Sequence, residues 1–133
     1  MVTVVLNGYK RGQHLETQLE AIKKQTLRPK EIMLWQNAGQ DFNPEIAGKT
    51  TWASCNKNFG VWARFAYALN AKTEYVCVFD DDTIPGKRWL ENCHKTIQEY
   101  EGLLGTIGVV YHTPNSYHPM HRVGWAEPNE KTE

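Results

Sequence analysis

The chain has 133 residues, which is enough for one domain over 1–133 with a normal core and too few for a second sizeable domain. Lys and Arg total 15 and Asp and Glu total 15, so a net charge of zero excludes binding of nucleic acid or anionic lipid by bulk charge. With 41% hydrophobic and 23% charged residues, the composition excludes a disordered chain.

The first half of the chain alternates between strand and helix patterns. A β-branched run over 2–6 ends at a turn-prone Asn-Gly pair and predicts a buried strand. Apolar residues then recur at i, i+4 and i+7 and predict a helix over about 12–25. Strands are predicted over 31–35 and 50–54, on either side of a polar loop over 38–49.

The second half continues this alternation. A helix is predicted from Gly60, where apolar residues return at helical spacing. The continuous apolar run over 75–79 predicts a strand covered on both faces, as in a parallel sheet. A further helix is predicted between Pro85 and Gly102 and a last strand over 106–111, after which no period is visible. This order predicts an α/β fold with helix layers around a mostly parallel sheet.

Three consecutive carboxylates follow the strand at 75–79. Because side chains alternate along an extended chain, Asp80 and Asp82 are expected to project to one side and Asp81 to the other. Carboxylates held close together need a proton or a cation, and oxygen ligands of this kind suit Mg²⁺ or Mn²⁺ when substrate phosphates complete the shell. The alternative is a solvated turn or a helix N-terminus ahead of Pro85.

Four segments in consistent order along 1–110 carry a wider pattern. They read V-T-V-V-L followed by G-Y-K-R (2–11), P-K-E-I (29–32), N-F-G-V-W-A-R (58–64) and E-Y-V-C-V-F-D-D-D (74–82). Together they resemble GT-A glycosyltransferases of the family-2 and exostosin-like kind. The resemblance implies a three-layer α/β/α sandwich, a nucleoside-diphosphate sugar as donor, Mn²⁺ or Mg²⁺ as cofactor, and a glycan or other hydroxyl as acceptor.

The same resemblance implies roles for the charged residues. It makes Asp82 the direct metal ligand, and it gives Asp81 and Asp80 contacts to the ribose or to the metal, directly or through water. Arg64 occupies the place of an arginine that approaches the nucleotide. On an amphipathic helix, the alternative for Arg64 is an ordinary solvent-facing side chain.

The nucleotide base is expected beside the first loop and the end of the second strand. The resemblance makes Tyr9 and Arg11 candidates for the wall of the base site and Asn37 the residue that reads the base edge. The family often has Asp at that place, and here Asp41 follows four residues later. The base therefore stays open between uracil and guanine, with UDP favoured. The alternatives are that Tyr9 covers the sheet edge and that Asn37 is a turn residue.

The C-terminal residues supply further candidates. His118 or His121 could be a late metal ligand, although a surface loop rich in His and aromatic residues explains them equally well. In the family, the catalytic carboxylate and the acceptor site follow the strand placed at 106–111. Glu127 and Glu130 are the candidate bases, and the chain is expected to hold the donor half of a larger transferase. Self-association or a completing partner chain would then cover its apolar faces.

Tryptophan and cysteine lie mostly in apolar or helical stretches. The tryptophans predicted to pack in the core or against helices are Trp35, Trp52, Trp62 and Trp89, and Trp125 lies in a predicted loop. The cysteines, which form no CxxC or zinc pattern, are Cys55, Cys77 and Cys93. Free thiols, no apolar run near the ~18 residues of a membrane span and no signal-peptide pattern predict a cytoplasmic location.

The leading hypothesis is a metal-dependent glycosyltransferase domain. The first alternative is a non-catalytic module that binds a nucleotide sugar, or a fragment of a larger transferase. The second alternative is a nucleotidyltransferase, which also combines an α/β sheet with metal-binding acids. That class normally has a Gly-rich basic loop after its first strand, and residues 7–12 match such a loop only weakly.

Overall fold

The computed structural model describes residues 1–38, 45, 48, 50–115 and 120–123. The chain divides into two compact units, Met1–Lys95 and Thr96–Glu133. Each unit is described separately below, and a single domain over 1–133 stays a prediction.

The first unit is built on a parallel sheet of four strands. These are β1 (Val2–Gly8), β2 (Glu31–Gln36), β3 (Thr51–Ser54) and β4 (Tyr75–Phe79), in the spatial order β3-β2-β1-β4. All pairings in this sheet are parallel, as predicted. The whole of β1 is buried, because it pairs with a strand on each side and is apolar along most of its length.

Three α-helices in the described ranges accompany this sheet. A short 3₁₀ helix (Gly12–His14) leads into α1 (Leu15–Lys23), α2 (Trp62–Ala68) comes between β3 and β4, and α3 (Trp89–Glu99) follows β4. Each lies within the helical region predicted for it and is shorter than that region. None of the helices in the described ranges has the length and apolar character needed to cross a bilayer.

Helices pack on both faces of the sheet. The core on one face joins strand residues to residues of α1 and α3, namely Val2, Val4, Leu6, Leu34 and Phe79 with Leu15, Leu19, Ile22 and Leu90. On the other face, the ring of Trp35 contacts that of Tyr67 in α2, with 5.7 Å between centroids. Because Leu34 and Trp35 are neighbours in β2, their side chains point to opposite faces. The predicted α/β/α layering is confirmed.

The second unit contains a two-stranded antiparallel sheet. Strand β5 (Gly108–Tyr111) pairs with β6 (Met120–Val123). The first of these strands was predicted over 106–111 and starts slightly later. The second was not predicted, because Met120–Val123 has two adjacent polar residues and no alternation of apolar and polar side chains.

Two tryptophans lie outside the core, which makes their predicted placement wrong. Trp52 is 52% exposed on β3 and Trp62 is 77% exposed on α2. Trp35 and Trp89 are partly buried, in line with the prediction, and Trp125 lies outside the described residues. The outward face of α2 has no cover from the described part of the chain, and this explains the exposure of Trp62.

All three cysteines are free thiols. Cys77 packs against the core cluster, and this burial raises the pKa of its thiol to about 11. At neutral pH it is therefore a protonated, unreactive packing residue, as the sequence suggests.

Gln25 connects the end of α1 to the start of α3. Its side-chain Nε2 donates to the Gly86 carbonyl at 2.8 Å, and its Oε1 accepts from the Leu90 backbone N–H at 3.0 Å. The side chain is 3% exposed. A single buried amide therefore satisfies one donor and one acceptor at the entry to α3.

We expect Glu91→Gln to lower the melting temperature by a few degrees at pH 7 and to have little effect near pH 2. Glu91 accepts hydrogen bonds from Lys95 and Thr26, each at 2.8 Å, and from Arg88 at 3.2 Å. The bond from Lys95 is the largest cause of a pKa lowered to about 2. A depressed carboxyl pKa stabilises the fold above the ordinary pKa of about 4.5, and this contribution is lost as the pH falls toward 2.

The measurement is the melting temperature of wild type and Glu91→Gln from pH 7 to pH 2. Glu74→Gln, at an exposed position ahead of β4, is the control for loss of one carboxylate. A difference that stays constant across this range would contradict the assigned network.

Candidate functional site

The acidic motif forms a turn at the carboxyl end of β4. Phe79 is the last strand residue, and the Thr83 backbone N–H donates to the Asp80 carbonyl at 3.1 Å. The loop after β1 and the α2 side chain Arg64 reach the same place. In a parallel α/β sheet, this edge is where ligands bind.

Two arginines pair with the three carboxylates. The Arg11 guanidinium contacts Asp81 at 2.6 Å and Asp82 at 2.5 Å. Arg64 forms an ion pair with Asp80. The strand ends at Phe79, and the projection of Asp80 and Asp82 to one side stays a prediction. Arg11 bridges Asp81 and Asp82.

The three carboxylates differ in their access to solvent. The side chains of Asp80 and Asp82 are 59% and 50% exposed, whereas that of Asp81 is 7% exposed. Three negative and two positive groups leave one negative charge on the cluster. The hydrogen bond to the Asp81 carboxylate is the largest cause of the raised pKa of Arg11. Asp80 and Asp82 are therefore the carboxylates most accessible to a ligand from solvent.

Gln18 fixes the acidic turn to α1. Its Nε2 donates to the carbonyl oxygens of Asp80 and Thr83, both at 2.7 Å, and the side chain is fully buried. Sequence reasoning missed this residue. The available signal was an amide between Leu15 and Ile22 on the apolar face of α1, where a polar side chain needs a partner. Gln18 thus positions the residues that carry the site.

Arg64 is a buried residue, so the solvent-facing alternative is wrong. Its side chain is 9% exposed, and its Nε donates to the Val61 carbonyl at 3.1 Å. This bond directs the guanidinium along the helix toward Asp80. The ion pair thereby joins α2 to the acidic turn.

Asn37 is held by the protein on both sides of its amide. The side-chain Nδ2 donates to Asn58 Oδ1 at 2.7 Å, and the Oδ1 accepts from the Phe59 backbone N–H at 2.9 Å. The residue is 3% exposed. The amide is thus hydrogen-bonded to the loop at 58–60, and the role of Asn37 in reading the base edge stays a prediction. Asp41, the other polar candidate in this region, lies outside the described residues.

The loop held by Asn37 needs a glycine. Gly60 has φ +67°, in the left-handed region that residues with a Cβ rarely adopt. Its N–H donates to Asn58 Oδ1 at 2.7 Å, and its carbonyl accepts from Asn37 at 3.3 Å. The loop therefore enters α2 in one defined conformation and carries Arg64 to the acidic cluster.

Tyr9 and Arg11 lie in the loop after β1 but face different partners. Tyr9 is half-buried, and Lys10 Nζ lies 5.0 Å from the centroid of its ring. Lys10 itself has φ +62°, which is uncommon for a residue with a side chain and turns the loop sharply. Arg11 lies on Asp81 and Asp82. The role of Tyr9 as a base wall stays a prediction.

The two exposed carboxylates fit a hard divalent cation whose remaining ligands come from water or from a substrate. The described residues contain no group of three His, Cys, Asp or Glu side chains arranged to hold a metal ion. Carboxylate oxygens from one or two residues are nevertheless what Mg²⁺ uses when phosphates supply further ligands. His121 lies on β6, whereas His118, Glu127 and Glu130 lie outside the described residues.

Solved structures of TarS from S. aureus share this fold. The TarS structure has 22% identity and a TM-score of 0.62, and the match covers 74% of this chain and 19% of TarS. For TarS residues 1–349, with and without UDP, identity is 20%, the TM-score is 0.62, and coverage is 74% of this chain and 32% of that one. At this identity, the likeness shows the fold alone. The chain thus spans less than a third of the length of either TarS chain.

Sequence comparisons identify the family of this chain. No curated protein matches the chain significantly. The family model described as glycosyl transferase family 2 matches residues 3–133. That match includes the acidic turn and every element from β1 to β6 apart from the first residue of β1. This chain therefore belongs to glycosyl transferase family 2.

Proposed function

We propose that the chain binds a nucleoside-diphosphate sugar at the carboxyl edge of its parallel sheet. It would form the donor part of a glycosyltransferase that transfers the sugar to a hydroxyl of a glycan or another acceptor. The observation that carries the proposal is the acidic turn of Asp80, Asp81 and Asp82, held by Gln18 and two arginines at this edge of a family-2 fold. Charged groups of both signs are thus available to a metal–diphosphate.

Asp82 and Asp80 would hold the divalent cation, Mn²⁺ or Mg²⁺. Both carboxylates are at least half exposed, and phosphate oxygens of the donor would complete the ligand shell. When bound, the cation supplies a Lewis acid that stabilises charge on the departing diphosphate. Asp81 is buried and has an arginine partner, so its part is to orient the turn and to offer an oxygen to the ribose.

UDP is the favoured nucleotide. One of the similar TarS structures is a complex with UDP, and this supports uracil over guanine as a proposal for the present chain. The side-chain amide of Asn37 is hydrogen-bonded to the loop at 58–60, and Tyr9 is a further candidate for contact with the base. Arg64 forms an ion pair with Asp80 and would thereby lie close to the diphosphate of the donor.

Transfer also needs a base that removes the proton from the acceptor hydroxyl. General-base help is typically worth ~10²–10⁴-fold. Glu127 and Glu130 are the proposed candidates. A chain without such a base would bind the donor and transfer sugar poorly, which is the behaviour of the alternative binding module.

The test is calorimetric titration of UDP and GDP, each with and without Mn²⁺. The proposal expects UDP to bind more tightly with Mn²⁺ present and GDP to bind more weakly than UDP. If neither nucleotide binds, the donor-site proposal is wrong. Hydrolysis or transfer from a UDP-sugar above the protein-free rate then separates a transferase from a module that only binds nucleotide sugar.

A further inference from the structure

Arg11 occupies Asp82, one of the two carboxylates proposed to hold a divalent cation. Its two terminal nitrogens contact Asp81 at 2.6 Å and Asp82 at 2.5 Å, so one planar guanidinium bridges two side chains. This fork geometry suits arginine, and charge-assisted bonds of this kind are among the stronger hydrogen bonds in proteins. A cation that binds Asp82 would lie beside this guanidinium, and the repulsion between the two positive groups opposes its binding while Arg11 stays in place.

The loop that carries Arg11 is turned toward the acidic motif by its backbone. Lys10 has φ +62°, and the Arg11 carbonyl accepts the His14 N–H at 3.2 Å at the start of the 3₁₀ helix. The Arg11 side chain is 50% exposed, so it has room to leave the carboxylates. Asp81 is 7% exposed, and without Arg11 its charge would have no described ion-pair partner.

We propose that Arg11 and the divalent cation compete for the Asp82 carboxylate, and that the guanidinium moves to the donor diphosphate when the cation binds. The inference rests on the proposed function of this edge as a nucleotide-diphosphate site. Arg11 thereby neutralises the carboxylates before the donor arrives. Cation and nucleotide then bind cooperatively. The cation releases Arg11 for the diphosphate, and the move of Arg11 to the diphosphate leaves Asp82 to the cation.

The test measures Mn²⁺ binding in the absence of nucleotide, from the electron paramagnetic resonance signal of free Mn²⁺. We expect Arg11→Gln to bind Mn²⁺ about three- to tenfold more tightly than wild type, because no guanidinium competes for Asp82. We also expect UDP to enhance Mn²⁺ binding less in Arg11→Gln than in wild type. Arg28→Gln, the same substitution at an exposed position, is the matched control and should bind like wild type.

Arg11→Lys keeps the charge but cannot bridge two carboxylates in fork geometry. Its Mn²⁺ affinity should fall between those of wild type and Arg11→Gln. It carries the test if Arg11→Gln does not fold, as judged by thermal unfolding. Equal or weaker Mn²⁺ binding by the Arg11 variants, or no Mn²⁺ binding by any variant, overturns the competition. Tighter Mn²⁺ binding with no UDP binding leaves the competition standing and shows that the donor-site proposal is wrong.

Discussion

Asp82→Asn removes the metal-dependent part of UDP binding, with an expected loss of roughly 100-fold or more in affinity at saturating Mn²⁺. Asp82 is the half-exposed carboxylate at the end of the acidic turn. An amide cannot replace the negative charge that a divalent cation requires from a ligand. It does keep an oxygen that accepts from Arg11, so the fold should persist. Calorimetric titration of UDP with and without Mn²⁺ measures the loss.

The control for Asp82→Asn is Glu74→Gln, which also converts a carboxylate to an amide and lies ahead of β4, at the opposite end of the strand. Removal of Mn²⁺ with EDTA should bring wild type down to the affinity of Asp82→Asn and leave the variant unchanged. Full Mn²⁺-dependent affinity in Asp82→Asn would exclude Asp82 as a metal ligand.

Gln18→Leu weakens Mn²⁺-dependent UDP binding by roughly 10–100-fold, the usual effect of losing a residue that supports metal ligands. The substitution removes both hydrogen bonds to the carbonyls of Asp80 and Thr83. Leucine fills a similar volume, so the core stays packed while the turn loses its anchor. We expect a loss of about 1–2 kcal/mol in the free energy of unfolding, measured by urea denaturation.

Gln25→Leu is the matched control for Gln18→Leu. Gln25 is also buried and also donates to a backbone carbonyl, but it docks the start of α3 at Gly86 and Leu90. A similar loss of stability with unchanged UDP affinity is expected. If both variants lose affinity equally, Gln18 acts on the stability of the whole unit and not on the acidic turn.

The hydrophobic pattern was enough to predict the central sheet and the parallel pairing of its strands. The strand over 75–79 was predicted with its observed limits, because an apolar run between polar residues leaves little freedom in placing its ends. Strand β6 could not be predicted, since Met120–Val123 has no periodic pattern and depends on its partner strand for identification.

The residues that carry charge in the site were found from the sequence, but their partners were not. Asp80, Asp81 and Asp82 stand out because they follow an apolar strand. The pairing of Arg11 with the last two depends on a loop that lies 71 residues before Asp82 in the sequence. Asn37 has a side-chain amide of the kind that binds the edge of a base. Only the structure shows that this amide is hydrogen-bonded to Asn58 and Phe59.

The most direct test of the donor site is the broadening of backbone amide NMR signals by Mn²⁺ in the presence of UDP. Paramagnetic broadening marks the amides nearest the cation. The account predicts loss of signal at 80–82 and at 9–11, where the Arg11 loop meets the acidic turn. Signals at 31 and 75, which lie at the opposite end of the same parallel strands, should stay sharp. Broadening centred elsewhere, with 80–82 unaffected, would contradict a metal–diphosphate site at the end of β4.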